Sequence, residues 1–333
     1  MIVDVHAHVI VPEITREAGG DEPWRPSVRW EDGAQVVELG GQAIRSAVRE
    51  FVRIDRLLEQ EAGSGIDHVV LSPWVALLPY ALDLEEAVRV CRLQNEALAA
   101  AGAAYPGRVS ALGAVPMQAP RVAARELERA MALPGVVGVE LAASVRGAYL
   151  GDDRFLPFWE VAEASGALVF VHPTTKGFDL PVFGEYYLWN TVANPMETAV
   201  TGAHLVMAAV LERHPGLRIV LAHGGGALQA VRGRLRHAHG FQPQATTRLR
   251  ESPEVSLGRL HYDTVTHDTE LLRALVASVG ADHVLLGSDH PFDMGTTRPV
   301  EEVRAIGLDA QDETAVLGGN AARMLGLDEI GGA

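Results

Sequence analysis

The chain has 333 residues and a mass of 35.7 kDa, which is long enough for one large domain or two small ones. Its 48% hydrophobic and 21% charged residues are typical of a globular protein with a large core. The formal net charge of -15 argues against a nucleic-acid partner, because binding to a phosphate backbone needs clustered lysine and arginine. Residues 1–20 lack the pattern of a signal peptide, and no apolar run is as long as a membrane span. We therefore expect a cytoplasmic protein that does not bind a membrane.

Eight short runs rich in valine, isoleucine and leucine are predicted to be strands: 2–9, 67–73, 108–115, 136–142, 167–173, 217–223, 260–265 and 282–289. Between them, apolar residues at helical spacing predict helices over 53–63, 84–106, 119–133, 155–166, 195–215 and 268–280. This alternation indicates a parallel sheet covered by helices, and eight such units fit a (β/α)8 TIM barrel of the α/β class. The alternative, a doubly wound sheet, is disfavoured because no G-x-G-x-x-G turn follows the first strand.

Two segments, 20–47 and 174–194, fit neither a helix nor a strand. Long irregular loops in a compact domain are usually lids or binding loops, so we expect both to be inserted over the C-terminal face of the strands. We expect residues 1–333 to form a single domain.

Polar residues end four of the predicted strands. The first strand, "VDVHAHV" (3–9), places His6 and His8 on the same face, since residues i and i+2 of a strand point the same way. Three later strands end in His172, His223 and Asp289. The C-terminal strand ends of such a barrel meet at one mouth, so all five side chains should converge. Three imidazoles and a carboxylate suit zinc, manganese or iron, which leaves one group to move protons.

Other site types lack their motifs. The segment "HGGGA" (223–227) has neither the spacing nor the lysine of a P-loop, and the absence of G-x-S-x-G excludes a serine hydrolase. The glycines of HGGGA are expected to let the backbone pass close to the metal pocket. The single cysteine, Cys91, excludes a disulfide framework and a thiolate metal site.

With these motifs in place, the chain resembles the amidohydrolase superfamily, and within it aminocarboxymuconate semialdehyde decarboxylase and related metal-dependent decarboxylases. The resemblance runs over nearly the whole chain. It includes "DVHAHVIVP" (4–12), "VFVHP" (169–173), "NPMETA" (194–199), the HGGG segment, "GSDHPFDMG" (287–295) and "GNAARMLGL" (319–327).

The resemblance implies a site with one divalent metal ion, expected to be zinc, with manganese or iron as alternatives. Its ligands would be His6, His8, His172 and Asp289, with His223 as the general acid and base.

The resemblance also implies substrate-binding residues. Arg45 and Arg234 match two arginines that clamp substrate carboxylates, and in the family the second reaches into the neighbouring subunit's pocket. Phe292 matches an aromatic residue that lines the substrate, and Trp189 is a displaced counterpart of another. We therefore expect a homodimer. The segment after His172 departs from the family pattern, so the exact substrate stays open.

The function predicted from these residues is oxygen-independent decarboxylation of a small unsaturated or aromatic carboxylic acid. His223 would deliver a proton to the substrate carbon, and carbon dioxide would leave. The rival enzymatic function is hydrolysis or hydration of a small lactone, amide or unsaturated carboxylate at the same metal. A non-catalytic metal-binding barrel is the alternative outside enzymes, and the flanking arginines disfavour it.

Overall fold

The computed structural model describes residues 1–20, 22–31, 34–39, 41–46, 53–174, 178 and 180–327. The strands among these residues, numbered in chain order, are β1 (Val3–Val9), β2 (Ser27–Glu31), β3 (Ala34–Leu39), β4 (Gln42–Ser46), β5 (His68–Pro73), β6 (Val109–Gly113), β7 (Val136–Ala142), β8 (Ser144–Val145), β9 (Ala148–Tyr149), β10 (Leu168–His172), β11 (Arg218–Leu221), β12 (His261–Asp263) and β13 (Val284–Leu285).

The α-helices among the described residues are α1 (Arg16–Gly19), α2 (Ile54–Gly63), α3 (Leu84–Ala104), α4 (Pro120–Met131), α5 (Leu156–Ser165), α6 (Asn194–Met207), α7 (Val210–Arg213), α8 (Leu228–Phe241), α9 (Pro253–Leu257), α10 (Thr269–Val279), α11 (Pro299–Ala305), α12 (Ala310–Thr314) and α13 (Asn320–Leu325). Local signals set several of their ends. α3, α10 and α12 begin after an aspartate whose carboxylate accepts a backbone N–H of the first turn. α5 and α13 end at glycines in the left-handed conformation, Gly166 and Gly326.

The main sheet is a closed parallel barrel. Its eight strands follow one another in the order β1-β5-β6-β7-β10-β11-β12-β13. The first and last strands meet through backbone hydrogen bonds, with Val5 N–H donating to Leu286 O at 3.0 Å and Asp289 N–H donating to His6 O at 2.8 Å. The predicted (β/α)8 barrel is confirmed. Each of the eight predicted strands and five of the six predicted helices have one observed counterpart within the predicted bounds.

Two hydrophobic clusters form the core. The inner cluster fills the barrel and draws on six barrel strands and α13, with members such as Val3, Val5, Val70, Leu112 and Phe170. The outer cluster lies between the barrel and its helices. Burying both faces of the strands explains why they read as continuous apolar runs.

β1 contains an irregularity that decides where its histidines point. Strict alternation would place Val5 and Ala7 on one face, yet Val5 belongs to the inner cluster and Ala7 to the outer one. The register with β5 shifts between Asp4 and Ala7, as at a β-bulge. Because of this shift, His6 and His8 face the inside of the barrel.

The prediction that 20–47 is an irregular loop is wrong for its described part. β2, β3 and β4 form a three-stranded antiparallel sheet, with Val28 opposite Val37 and Val36 opposite Arg45. Val36 and Val37 are consecutive and both buried, so the alternation that identifies a half-buried strand is absent here.

The predicted helix over 195–215 is two helices, α6 and α7, separated by Ala209 in a left-handed conformation with φ of 58°. The described part of 174–194 contains a 3-10 turn at Pro181–Phe183 and a π-helical turn at Trp189–Ala193. Within the described residues, no helix has both the length and the apolar character needed to cross a bilayer.

Candidate metal centre and active site

Five polar side chains meet at the C-terminal mouth of the barrel. His6 and His8 lie on β1, His172 ends β10, His223 follows β11, and Asp289 follows β13. One ligand atom from each of His6, His172, His223 and Asp289 lies within 4.8 Å of the others. The structure therefore brings together the side chains that strand periodicity had placed at the strand ends.

The inner atoms of the cluster converge to within hydrogen-bond distance of one another. His6 Nε2 and His8 Nε2 are 3.0 Å apart. Asp289 Oδ1 lies 3.2 Å from the first nitrogen and 3.3 Å from the second. The His172 ring lies 5.0 Å from that of His8 between centroids, with its own Nε2 buried and unpartnered among the described residues. Three nitrogens and a carboxylate with unused lone pairs suit a divalent cation.

The outer ring nitrogens of these histidines are held by acceptors. His6 Nδ1 lies 2.6 Å from Asp263 Oδ2, and His172 Nδ1 donates to the Pro173 carbonyl at 2.8 Å. A protonated Nδ1 leaves Nε2 free to bind a metal, and carboxylates in this position orient ligand histidines. Asp263 is itself fixed, because its Oδ1 accepts the backbone N–H groups of Gly224 and Val265.

His8 has a different carboxylate neighbour, Glu140 on β7. Glu140 Oε2 lies 3.6 Å from His8 Nδ1, which also lies 3.1 Å from Ser72 Oγ. The Glu140 side chain is fully buried, and neither of its oxygens has a hydrogen-bond partner among the described residues. A buried charge without hydrogen bonds is costly, so the positive charge that gathers around His8 is what compensates it.

Sequence reasoning missed Asp263 and Glu140 as parts of this site. Both are single carboxylates inside otherwise apolar strands, in "LHYDTV" and "VVGVELA". An acidic residue in a strand that is buried on both faces needs a charged or polar partner, because burying its carboxylate alone is costly. That signal would have pointed to both residues.

The electrostatics of the cluster favour positive charge on the β1 pair. Burial lowers the pKa of His6, but Asp289 and Asp263 outweigh it and raise the pKa to about 10. Burial also lowers the pKa of His8, but Glu140 and Asp289 outweigh this effect and raise the pKa to about 9. Burial and the neighbouring imidazoles hold the pKa of His172 well below its usual value. A proton and a metal ion would compete for the same inner nitrogens.

His223 stands apart from the other four in its exposure. Its ring is half-buried and lines a cavity, and its Nε2 lies 3.4 Å from Asp289 Oδ2. Its backbone has φ of 57°, and that of Asp289 has φ of 58°, which is unusual for residues with a Cβ. Such conformations concentrate at functional sites. By distance alone His223 could bind a metal. Its position in the cavity wall instead favours a role in proton transfer to a bound substrate.

The glycines after His223 are required by close packing. A Cβ on Gly226 would overlap the Pro195 carbonyl oxygen, and one on Gly225 would lie 2.7 Å from Tyr262 Cδ1. Both glycines have positive φ. The loop can therefore pass close to the pocket, as the sequence predicted.

A cavity of about 230 Å³ adjoins His223 and Asp289. Its other polar lining residues are Asn190, Thr191, Asn194, Thr266 and His267. Its apolar lining residues are Pro195, Val265, Leu271 and Met294. A largely apolar hollow with a few polar groups beside a metal cluster is the usual form of a small-molecule site. Sequence reasoning passed over His267, although it follows the seventh barrel strand by only four residues.

The predicted substrate residues lie in different places. The Phe292 ring is 5.2 Å from that of His8 and 5.8 Å from that of Trp74, so it borders the metal cluster. The Trp189 ring packs against Tyr187 at 5.0 Å, and its neighbour Asn190 lines the cavity instead.

The two predicted arginines are not seen in the cavity wall. Arg45 lies in β4, opposite Val36, and its side chain is outside the part of the structure that is described. Arg234 is exposed on α8 and pairs with no carboxylate among the described residues.

The chain matches the amidohydrolase family model over residues 3–327. A 2-amino-3-carboxymuconate-6-semialdehyde decarboxylase of Dictyostelium discoideum is 31% identical over 281 residues, covering 83% of this chain and 76% of that protein. The solved IDCase of Metarhizium anisopliae has a TM-score of 0.84 at 24% identity and covers 98% of this chain and 97% of its own. A 5-carboxyvanillate decarboxylase of Novosphingobium aromaticivorans, solved with manganese and a nitrobenzoic acid, has a TM-score of 0.82 at 19% identity, covering 98% and 96%.

Proposed function

Because this chain belongs to the amidohydrolase family, we propose that it is a metal-dependent, oxygen-independent carboxy-lyase acting on a small unsaturated or aromatic carboxylic acid. The observation that carries the proposal is the set of inward nitrogen and oxygen atoms at the barrel mouth beside a small cavity. Two of these atoms, His172 Nε2 and Asp289 Oδ1, are buried without a hydrogen-bond partner in the described part of the chain. The reaction is supported by the relatives from Dictyostelium and Novosphingobium, both named as decarboxylases.

The proposed metal ligands are His6, His8, His172 and Asp289. Zinc suits three imidazoles and one carboxylate and is the expected ion, with manganese or iron as alternatives. Manganese gains weight from the Novosphingobium structure, which contains it. When bound, such a metal acts as a Lewis acid that polarises a coordinated oxygen and orients the substrate.

His223 is the proposed proton donor. It delivers a proton to the ring or alkene carbon that bears the carboxylate, which turns the conjugated system into an electron sink. The carbon–carbon bond to the carboxylate then breaks, and its electron pair restores the conjugation as carbon dioxide leaves. One proton replaces one carboxylate, and no electron passes to an acceptor, so the step needs no oxygen and no redox cofactor.

Substrate recognition is assigned to Phe292, beside the metal cluster, and to Trp189, which directly precedes the cavity-lining Asn190. Arg45 and Arg234 are proposed to bind carboxylate oxygens in bidentate fashion.

A homodimer is part of the proposal. Arg234 is exposed on α8 and does not line its own cavity among the described residues, which favours a role in another subunit. Phe241 lies seven residues further on the same helix, so the two share a face, and its side chain is 74% exposed. An exposed phenylalanine two turns along the same helix face from an exposed arginine suits a subunit contact. We extend the proposal to residues 1–333 as one functional domain.

The test is product analysis with the metal-loaded protein. Zinc- and manganese-loaded samples are incubated with gamma-resorcylate, 6-methylsalicylic acid and 5-carboxyvanillate, and products are identified by mass spectrometry. Decarboxylation gives products that lack carbon dioxide, and a chelator should stop the reaction until metal is returned. Products that gain water would instead support the rival hydrolase or hydratase.

A further inference from the structure

Asp4 lies in the first barrel strand and is fully buried, yet it is not one of the proposed metal ligands. Its neighbours Val3 and Val5 both belong to the inner cluster, so the Asp4 side chain points to the outer face of β1. His6 points inward, with its ring 4.7 Å from that of Phe170 between centroids. Strict alternation would place Asp4 and His6 on one face of the strand, and the structure separates them.

The separation comes from the bulge in β1. From Asp4 to Ala7 this strand advances by three residues, whereas its partner β5 advances by two, from Val69 to Leu71. One residue of β1 is therefore extra, and an extra residue disrupts the regular hydrogen bonds between strands. The His6 N–H lies within the bulge and donates to Asp4 Oδ1 at 2.9 Å. The Asp4 carboxylate thus supplies a hydrogen-bond acceptor inside the bulge.

The same carboxylate also binds the segment that carries Asp289. Asp4 Oδ1 accepts the N–H of Ser288 at 3.1 Å, and Asp4 Oδ2 accepts the Ser288 hydroxyl at 2.5 Å. Ser288 Oγ in turn accepts the N–H of His290 at 3.1 Å. Both chain neighbours of Asp289 are therefore held, one by Asp4 directly and the other through Ser288.

A backbone hydrogen bond joins the two segments that Asp4 contacts. Asp289 N–H donates to the His6 carbonyl at 2.8 Å, and the inner atoms of the two side chains, Asp289 Oδ1 and His6 Nε2, lie 3.2 Å apart. Asp289 has φ of 58°, a conformation that persists only where surrounding contacts enforce it. Because Asp4 holds the chain on both sides of this bond, its hydrogen bonds contribute to the spacing of the two inner atoms.

We propose that Asp4 is a positioning residue for the metal centre. Its carboxylate holds the bulge that turns His6 inward and the turn that presents Asp289, and it thereby sets the distance between these two proposed ligands. Asp4 acts on the metal only through them, since its own side chain lies on the opposite face of β1. The inference rests on the proposed function, because it concerns the metal site of that proposal.

The test measures zinc affinity in two variants of Asp4. Asp4→Ala leaves the N–H groups of His6 and Ser288 without this acceptor, so it should bind zinc about 10- to 100-fold more weakly, the usual effect of losing a group that orients metal ligands. Asp4→Asn keeps an oxygen that can accept both N–H groups and gains an NH2 group that can donate to Ser288 Oγ. Its affinity should therefore stay within about threefold of that of the unmodified protein. Competition with a chromogenic chelator, without substrate, gives each affinity.

Asn320→Ala is the matched control for a loss of stability alone. Asn320 is also buried, and its side-chain amide donates to the carbonyls of Ala281 and Val284 at the beginning of β13, away from the metal cluster. In the metal-free form, both this variant and Asp4→Ala should unfold at a lower denaturant concentration than the unmodified protein. Only Asp4→Ala should also lose zinc affinity, whereas a purely structural role of Asp4 would make the two variants alike.

If Asp4→Ala does not fold, Ser288→Ala takes its place, because it removes the hydroxyl that joins Asp4 to His290 with little change in volume. It should bind zinc at least about tenfold more weakly. Unchanged affinity in the variant measured would overturn the positioning role and leave the proposed function standing. An equal loss in Asp4→Asn would overturn it as well, since the role depends on hydrogen bonds that asparagine can keep.

The outcomes for the positioning role and for the proposed reaction are separable, because affinity is measured without turnover. Weakened zinc binding in Asp4→Ala, together with no release of carbon dioxide by the unmodified protein, would reject the reaction and support the positioning role. An unmodified protein that binds neither zinc nor manganese would reject both.

Discussion

At the level of single residues, the histidines of the cluster differ in how much surrounding structure supports them. His6 and His8 are each backed by a buried carboxylate, Asp263 and Glu140. His172 has only the Pro173 carbonyl behind it, and its inner nitrogen is unpartnered among the described residues. The proposed contribution of His172 to the site is therefore metal binding rather than support of its neighbours.

The variant His172→Ala is expected to lose most of its metal while remaining folded, because the ring makes few hydrogen bonds that its loss would disrupt. Elemental analysis of the dialysed protein gives the metal content, and circular dichroism checks the fold. His237→Ala provides a surface-histidine control that should keep one ion per chain. Unchanged metal content in His172→Ala would remove His172 from the ligand set.

His223→Ala is expected to keep its metal and to lose at least about 10²-fold in kcat, the usual contribution of a general acid or base. The reason is that the other four side chains make up the proposed ligand set, while His223 faces the cavity. Metal analysis and steady-state kinetics on the same preparation separate the two roles. Loss of the metal in this variant would make His223 a ligand.

Glu140→Gln should weaken metal binding by about 10- to 100-fold, as is typical when a carboxylate behind a ligand histidine is neutralised. The substitution keeps the shape of a fully buried side chain and removes only its charge from beside His8. Competition with a chromogenic chelator measures the affinity. An unchanged affinity with a raised melting temperature would show that Glu140 is only an uncompensated buried charge.

At the level of elements, the loop after β11 is confined between α6 and β12. Gly226, with φ of 58°, abuts the backbone of Pro195 at the start of α6, and Gly225 abuts the ring of Tyr262 on β12. The position of His223 therefore depends on two neighbouring elements as well as on its own strand.

Gly226→Ala is expected to destabilise the protein by about 2–5 kcal/mol, the sum of a left-handed alanine at about 1–2 kcal/mol and overpacking at about 1–3 kcal/mol. Gly307→Ala is the matched control, because Gly307 also has positive φ, 73°, but a Cβ there would meet no atom within 4 Å. The control should lose only about 1–2 kcal/mol. Denaturant unfolding measures both variants, and equal losses would mean that the loop yields to the added methyl group.

At the level of the whole molecule, the proposed dimer makes each active site depend on two chains. Arg234 and Phe241 project from α8 on the surface of the barrel, and neither belongs to the cavity wall of its own chain among the described residues. A residue so placed can act on substrate only if a second subunit brings its own cavity to it.

Mixing Arg234→Ala with His223→Ala should restore part of the activity that each variant lacks. After subunit exchange, a heterodimer contains one pocket in which both residues are unmodified, so activity should rise to a fraction of that of the unmodified enzyme. Kinetic assays of the mixture, with native mass spectrometry to confirm exchange, give the result. Background activity despite exchange would place Arg234 outside the partner's site, and a monomeric mass would exclude the shared site altogether.

The sequence alone was sufficient to predict the barrel fold and to predict that the five polar side chains converge at its mouth. Each strand is buried on both faces and so reads as a continuous apolar run, and parallel strands bring their C-terminal ends to one side. A histidine or aspartate that ends such a run must therefore lie at the mouth. These conclusions need only local periodicity and the closure of the barrel.

Only the tertiary structure decided which groups support the site and which line the cavity. The β-bulge in β1, which turns His6 and His8 inward, interrupts an alternation that looks perfect in the sequence. The pairing of Glu140 with His8 joins residues 132 positions apart (140 - 8) through the curvature of the barrel. The sheet of β2 to β4 escaped prediction because consecutive valines are buried on both of its faces. Long-range packing sets each of these features. A local pattern can mark Glu140 as an unusual residue in an apolar strand, but it does not show which residue Glu140 faces.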